Sequence, residues 1–197
     1  MLEWRLGGIR CRLSLLFPGL VTALLLWQPD GLAVTCLLAS LIHEGGHLLA
    51  MMAVGVPPQK CTLGAFGLRL VLGDAMIGYG KNLIISFAGP LANGLAAVML
   101  FWMSRPATAA VHLVLAGLNL LPATSLDGGE LLRCGVCMLG MEALADTVLR
   151  FTSALVLLPL ATLSLWLFIS SSNPTLLIVS AYLAVLVFFS EKNEKTS

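Results

Sequence analysis

The sequence His43-Glu44-Gly45-Gly46-His47 lies inside the apolar stretch from Gly31 to Val54, which is long enough to cross a bilayer as a helix. On a helix, His43 and His47 are four residues apart, so both imidazoles point to one side, about 6 Å apart along the axis. That spacing suits two ligands of a tetrahedral zinc ion. Glu44 lies beside the first ligand, where it can take a proton from a metal-bound water.

The simpler alternative is a polar contact between helices, but it leaves the spacing of the two histidines unexplained. It also leaves ionisable groups at membrane depth, which is costly without a function. Gly45 and Gly46 each cost roughly 1 kcal/mol against alanine in a helix interior. They predict close approach of another backbone, or of substrate, to this point of the helix.

The composition is that of a polytopic membrane protein. The chain has 197 residues, is 58% hydrophobic and 11% charged, and has a mean hydropathy of +0.96. That length leaves room for about six spans and hence one domain. The net charge of +1 does not indicate nucleic-acid binding.

Six apolar segments are predicted to cross the membrane. They are Leu13–Trp27, Gly31–Val54, Leu83–Ser104, Ala107–Leu121, Phe151–Ser170 and Thr175–Phe189. Cytoplasmic ends are enriched in Lys and Arg, which favours both termini inside, because only Arg105 of the eleven cations then lies outside. The end of the second span, with its histidine pair, is then close to the cytoplasmic face.

The segment from Cys61 to Gly80 does not resemble a span. Apolar residues alternate along 66–73, a period of two, and Gly73-Asp74 could turn the chain into a second strand, Ala75–Tyr79. This predicts a small membrane-associated β-hairpin, whose open edge could accept an extended peptide. An irregular interfacial loop is the alternative, since three glycines weaken the strand propensity.

A catalytic zinc needs a third protein ligand and an open position. His112, the one other histidine, falls near the outer end of the fourth span, so we expect a packing or interfacial role for it. Asp127 is the better candidate, because Pro122 stops the helix and Gly128-Gly129 permit a tight turn that brings the carboxylate inward. Taken alone, Asp-Gly-Gly is equally typical of a turn or helix cap.

Two motifs together resemble the site-2 protease family of intramembrane zinc metalloproteases, in particular the bacterial sporulation group that cleaves a pro-sigma factor. They are His43-Glu44-x-x-His47 and Asn119-x-x-Pro122-x-x-x-x-Asp127-Gly128. Phe87–Asn93 is similar to the family's third-span motif. The resemblance covers roughly residues 30–135. It implies an all-α polytopic protein with a three-helix catalytic core, a single zinc ion held by His43, His47 and Asp127, Glu44 as the catalytic base, and Asn119 holding substrate or the oxyanion.

The resemblance also implies an intramembrane endopeptidase that cuts a membrane-tethered protein, for example a transcription-factor precursor, near the cytoplasmic face of a bacterial membrane. The chain differs from relatives with PDZ or CBS domains, since neither is evident in the single domain over 1–197. We therefore expect control by a partner membrane protein or by prior trimming of the substrate.

Two other functions fit parts of the pattern. A non-catalytic zinc-holding pseudoprotease or chaperone would use the ligands without Glu44. A membrane zinc protease of the prenyl-protein type would take a later glutamate, Glu130 or Glu142, as its third ligand.

Smaller features have structural interpretations. Gly89-Pro90 and Asn93 favour a closely packed span in which Asn93 bonds a neighbouring helix, with a substrate gate as the alternative. Cys134 and Cys137 have zinc-ribbon-like spacing without a second pair, so we expect thiols filling a helix face rather than a redox or metal site.

Overall fold

A computed structural model of the chain describes residues 2–6, 9–13, 31–64, 67–71, 77–124, 126–171 and 180. In this part of the chain there are five helices, α1 Leu32–Ala53, α2 Tyr79–Trp102, α3 Pro106–Asn119, α4 Asp127–Met138 and α5 Glu142–Ser171. The chain forms two compact units, Met1–Gly117 and Leu118–Ser197.

Three of the described helices, α1, α2 and α5, are long and apolar enough to cross a membrane. They correspond to three of the six predicted spans. The predicted fourth span is α3, whose 14 residues reach only about 21 Å at 1.5 Å per residue, short of a hydrocarbon core of about 30 Å. The predicted span Leu13–Trp27 lies outside the described residues except Leu13, and Thr175–Phe189 does so except Ser180.

The four strands form one sheet, which differs from the predicted hairpin. They are β1 Leu2–Leu6, β2 Ile9–Leu13, β3 Lys60–Gly64 and β4 Gly67–Val71, in the order β1-β2-β3-β4. The described strands reverse direction between Gly64 and Gly67. The turn predicted at Gly73-Asp74 lies outside the described residues. Tyr79, predicted to end a strand, begins α2.

The two outer strand pairs of the sheet are antiparallel, whereas β2 and β3 are parallel, with Cys11 opposite Cys61. The alternation in the sequence around residue 70 therefore does mark a strand. Its partners differ from those expected because two of the four strands come from the N-terminal segment. The described part of the chain is thus mostly helical, as predicted, with a four-stranded sheet where the sequence predicted a small hairpin.

The helices of the first unit reverse the usual pattern of a water-soluble core. Their interior is built from small residues such as Ala39 and Ala97 and from polar ones such as Asn93. Large apolar side chains lie outside, with Leu49 66% and Trp102 82% exposed. Small and polar residues at helix contacts and large apolar ones outside are the arrangement expected of helices in lipid.

In the second unit, two helices differ from the sequence-based expectation. α4 was not predicted as a helix, since Gly128, Gly129 and Gly135 lower helix propensity over this segment. α5 begins at Glu142, nine residues before the predicted Phe151, because its first turns are polar and escape a search for apolar runs. Its first turns also carry Asp146, whose carboxylate lies 3.6 Å from the guanidinium of Arg133 on α4.

Candidate metal centre

Helix α1 brings the imidazoles of His43 and His47 together. The two residues are 6% and 8% exposed, and their ring planes meet at 84° with centroids 4.8 Å apart. Their Nε2 atoms are 3.2 Å apart. Two nitrogen ligands bound about 2.0–2.1 Å from a tetrahedral zinc ion are separated by about 3.3 Å. The two Nε2 atoms therefore have the spacing of a pair of zinc ligands.

A backbone carbonyl fixes the tautomer of His47. Nδ1 of His47 lies 2.8 Å from the carbonyl oxygen of Ile85 on α2. Because a carbonyl oxygen only accepts, Nδ1 carries the proton and donates, and Nε2 of the neutral ring presents a lone pair. Histidines that ligate metals almost always donate their other N–H group in this way.

The second imidazole, that of His43, is held by a buried amide. Nδ2 of Asn93 lies 3.3 Å from Nδ1 of His43, and Oδ1 of Asn93 lies 2.9 Å from Nδ1 of His112 on α3. Asn93 is 0% and His112 is 2% exposed. Asn93 thus bonds both neighbouring helices, which confirms its expected role in helix packing.

The position of His112 corrects the sequence-based expectation. Its position near the outer end of the predicted fourth span puts it far from the histidine pair and predicts a packing or interfacial role. It is instead buried, and one amide side chain separates it from His43. The only signals in the sequence were Asn93 inside the Phe87–Asn93 motif and the rarity of histidine, neither of which identifies their contact.

Close contact between α1 and α2 depends on two glycines. A Cβ added at Gly46 would be 2.5 Å from the carbonyl oxygen of Ala88 and 2.8 Å from Cβ of Ala92. A Cβ added at Gly89 would overlap the imidazole of His47. The expected backbone approach is therefore confirmed at Gly46, whereas a Cβ at Gly45 would meet nothing within 4 Å.

Glu44 follows the first histidine on α1 and is half-buried. On a helix it is one residue, or about 100°, away from His43, so its carboxylate belongs to the adjoining face. A partly accessible carboxylate next to a buried ligand is suited to exchange protons with a water at that ligand. Its role as a base stays a prediction.

The other two predicted site residues belong to the second unit. Asn119 is the last residue of α3 and Asp127 is the first residue of α4, and both are half-buried. Asp127 opens the helix after Leu126, the residue at the N-cap position. Their roles as substrate-holding group and third ligand stay predictions.

The two glycines after Asp127 are explained by close packing rather than by a turn. Gly128 and Gly129 lie in α4, and neither has a positive φ. A Cβ at Gly128 would overlap the backbone carbonyl of Leu120, and one at Gly129 would overlap that of Ala123. The first turn of α4 is therefore pressed against the segment that leads into it, which restricts the position of Asp127.

A buried hydroxyl secures that segment to α5. The backbone N–H of Thr124 donates to Oγ of Ser153 over 2.8 Å, and Oγ of Ser153 donates to the carbonyl oxygen of Leu149 over 2.7 Å. Ser153 is 2% exposed. The position of Asp127 is thus restricted in two ways. The glycines after it pack against the preceding segment, and this hydrogen bond ties that segment to α5.

The second unit contains four other candidate ligands, Glu130, Glu142, Cys134 and Cys137. Glu142 is exposed at the start of α5. Cys134 and Cys137 are buried on α4 without a disulfide between them, as expected for thiols that fill a helix face. Sγ of Cys134 lies 3.8 Å from Oε1 of Glu130, one turn earlier on the helix.

No protein-family model matches the chain. Over 140 residues it is 33% identical to "Putative zinc metalloprotease Rip3" from two strains of Mycobacterium tuberculosis, a match that covers 61% of this chain and 36% of the relative. The chain thus spans about a third of the length of these curated relatives.

The fold matches a solved structure, the site-2 protease from Methanocaldococcus jannaschii, with a TM-score of 0.71. The alignment covers 96% of this chain and 94% of the archaeal chain at 20% sequence identity, a level at which the likeness concerns the fold. The sporulation group receives no support from either comparison. The chain therefore has the fold of a site-2 protease, and over part of its length it is similar to a putative zinc metalloprotease.

Proposed function

We propose that this protein is a membrane-embedded zinc endopeptidase that hydrolyses a peptide bond of a membrane-tethered protein. One observation carries the proposal: the Nε2 atoms of His43 and His47 are buried 3.2 Å apart, and the ring of His47 is fixed by the carbonyl of Ile85. The two imidazoles match a zinc ligand pair in spacing, and that of His47 matches it in protonation as well.

His43, His47 and Asp127 would hold the metal, one ion per chain. Two imidazoles and one carboxylate are a ligand set typical of hydrolytic zinc sites that keep a fourth position open. When bound, zinc supplies a Lewis acid that lowers the pKa of a coordinated water to about 7 and polarises a peptide carbonyl.

Glu44 acts as the general base in this proposal. Its carboxylate accepts a proton from the attacking water, whose oxygen forms a bond to the peptide carbonyl carbon. The same carboxyl group then gives the proton to the amide nitrogen as the C–N bond breaks. Asn119, with a side-chain NH₂ group, would donate a hydrogen bond to the negative oxygen that develops.

The substrate must present extended backbone, because carbonyls within a helix are hydrogen-bonded and shielded. A substrate span therefore has to unwind near the site. Precursors of membrane-tethered transcription factors are substrates of this kind, and a membrane protein partner could control access to them. Three observations support this choice: the fold of a site-2 protease, the likeness to a putative zinc metalloprotease, and the helices α1, α2 and α5, which are apolar enough to cross a membrane.

Zinc content and proteolysis of purified protein test the function. About one zinc per chain is expected in wild type and in Glu44→Gln, and much less in Asp127→Ala. Wild type should cleave casein, an unfolded protein with extended backbone, and Glu44→Gln should not. Wild type without zinc, or Glu44→Gln with full proteolytic activity, would reject the proposal. Zinc binding without any cleavage would favour the pseudoprotease.

We further propose a bacterial cytoplasmic membrane, with both termini and the opening of the site at the cytoplasmic face. The distribution of Lys and Arg supports this orientation. In intact cells, a membrane-impermeant thiol reagent should leave a variant with Cys61 as its single cysteine unlabelled. The same reagent should label a single cysteine introduced as Arg105→Cys, on the predicted outer side. Labelling of Cys61 from outside would reverse the topology.

A further inference from the structure

Five polar groups form a continuous hydrogen-bonded chain across three helices of the first unit. It begins at His112 on α3, passes through the amide of Asn93 on α2, and reaches His43 and His47 on α1 before ending at the carbonyl oxygen of Ile85. The three histidines and Asn93 are all buried. This series of hydrogen bonds therefore links His112, which lies outside the motifs that resemble the family, to the histidine pair.

The direction in which these hydrogen bonds are donated decides whether Nε2 of His43 can bind a metal. In the structure, Nδ1 of His112 donates to Oδ1 of Asn93, and Nδ2 of Asn93 donates to Nδ1 of His43. Nε2 of a neutral His43 then carries the proton, which points at Nε2 of His47. In this direction Nε2 of His43 has no lone pair to offer a metal.

The opposite direction needs no movement of the helices. Turning the Asn93 amide by half a rotation exchanges its oxygen and nitrogen and keeps both contacts. The amide oxygen then accepts a hydrogen bond from the Nδ1–H group of His43, which leaves a lone pair on Nε2 of that ring. The amide NH₂ group in turn donates to Nδ1 of His112, and a neutral imidazole can accept there because its proton moves to Nε2.

We propose that His112 is a positioning residue for the metal site: it supports Asn93 in the orientation that makes His43 a zinc ligand. An apolar residue at 112 would leave one end of a fully buried amide without its partner, so the amide would lose its defined orientation. His112 suits this task because its Nδ1 atom can donate or accept. The inference rests on the proposed zinc site and deepens it, since it adds an outer support to one ligand.

The zinc dissociation constant in detergent, measured by competition with a chelating dye, tests the proposal without a substrate. Loss of an outer partner typically weakens metal binding about 10–100-fold, and that range is expected for His112→Leu. His112→Asn keeps a polar atom near the position of Nδ1 and should restore most of the affinity. Ala116→Gly, also buried on α3 and one turn further along the same face, controls for lost packing.

An isosteric pair at residue 93 tests the direction of the bonds. Asn93→Asp offers only acceptors, which fixes the proton on Nδ1 of His43, so zinc binding at least as tight as wild type is expected. Asn93→Leu removes both bonds and should bind zinc about 10–100-fold more weakly. The visible absorption of bound Co²⁺ should differ from wild type in His112→Leu and be restored in His112→Asn.

Each result has a separate meaning. Wild-type affinity in His112→Leu, or equal weakening in His112→Leu and His112→Asn, would overturn the positioning role while leaving the zinc site intact. Absence of zinc binding by wild type would overturn the proposed function and this inference with it. Weak binding by His112→Leu with tight binding by both His112→Asn and Asn93→Asp would establish the positioning role.

Discussion

Gly89 of α2 lies directly against the imidazole of His47 on α1, so that a methyl group at residue 89 would overlap Nε2 and Cε1 of that ring. The same methyl group would be 2.9 Å from Cε1 of His43. The residue that allows the two rings to approach α2 is thus part of another helix. Its importance cannot be seen from the His-Glu-x-x-His pattern alone.

Gly89→Ala should weaken zinc binding about 10–100-fold, because the ring of His47 has to leave its hydrogen bond to Ile85 to make room. Gly94→Ala on the same helix is the matched control, since a Cβ there meets nothing within 4 Å. Zinc competition on both purified variants measures the difference. Equal affinities would show that the rings have more freedom than the packing indicates.

Alanine substitutions at two adjacent glycines on α1 should change the stability of the protein in opposite directions. Gly45→Ala should stabilise the protein by roughly 0.5–1 kcal/mol through helix propensity, as its Cβ points into open space. Gly46→Ala should destabilise it, since overpacking against the backbone of Ala88 costs about 1–3 kcal/mol, more than the same propensity gain. Thermal unfolding in detergent compares the two. A stabilised Gly46→Ala would contradict the close contact of α1 and α2.

A third glycine tests the support of Asp127. Gly128→Ala would push the first turn of α4 away from the carbonyl of Leu120, with a destabilisation of about 1–3 kcal/mol and a reduced zinc content. Gly135→Ala lies on the same helix in open space and should keep the zinc content of wild type. Full zinc content in Gly128→Ala, measured by atomic emission on folded protein, would count against Asp127 as a ligand.

Helix strength in a substrate span should govern its cleavage. Helix-weakening glycine or proline near the cytoplasmic end should raise the cleavage rate, because less free energy is needed to expose a carbonyl, whereas added leucine or alanine should lower it. Rates for a matched pair of single-span substrates, differing only at those positions, give the measurement. Equal rates would mean that unwinding is not the step that limits cleavage.

The sequence predicted the histidine pair well because helical periodicity places residues i and i+4 on one face whatever surrounds them. His43 and His47 needed only this local rule. The sheet was harder, since β2 and β3 are joined across 46 intervening residues, and no local pattern in β1 or β2 indicates a partner that far along the chain. The alternation around residue 70 showed one strand but could not show how many strands joined it.

His112 illustrates a second limit. The position of His112 along the predicted fourth span, Ala107–Leu121, indicates a depth in the membrane far from the histidine pair. The contacts of a side chain, however, depend on which helices pack together and on how each is rotated about its axis. For Asn93 the sequence was sufficient. An amide in an apolar helix needs a hydrogen-bond partner, and this alone predicts a bond to a neighbouring helix. Which partners it finds is a property of the packed helices.

The parallel pairing of β2 with β3 also constrains how the chain threads the bilayer. Strands that share hydrogen bonds lie on one side of the membrane, so the backbone of Ile9–Leu13 and that of Lys60–Gly64 are in the same compartment. A tag inserted beside either strand is therefore expected to be accessible from the same side of the membrane.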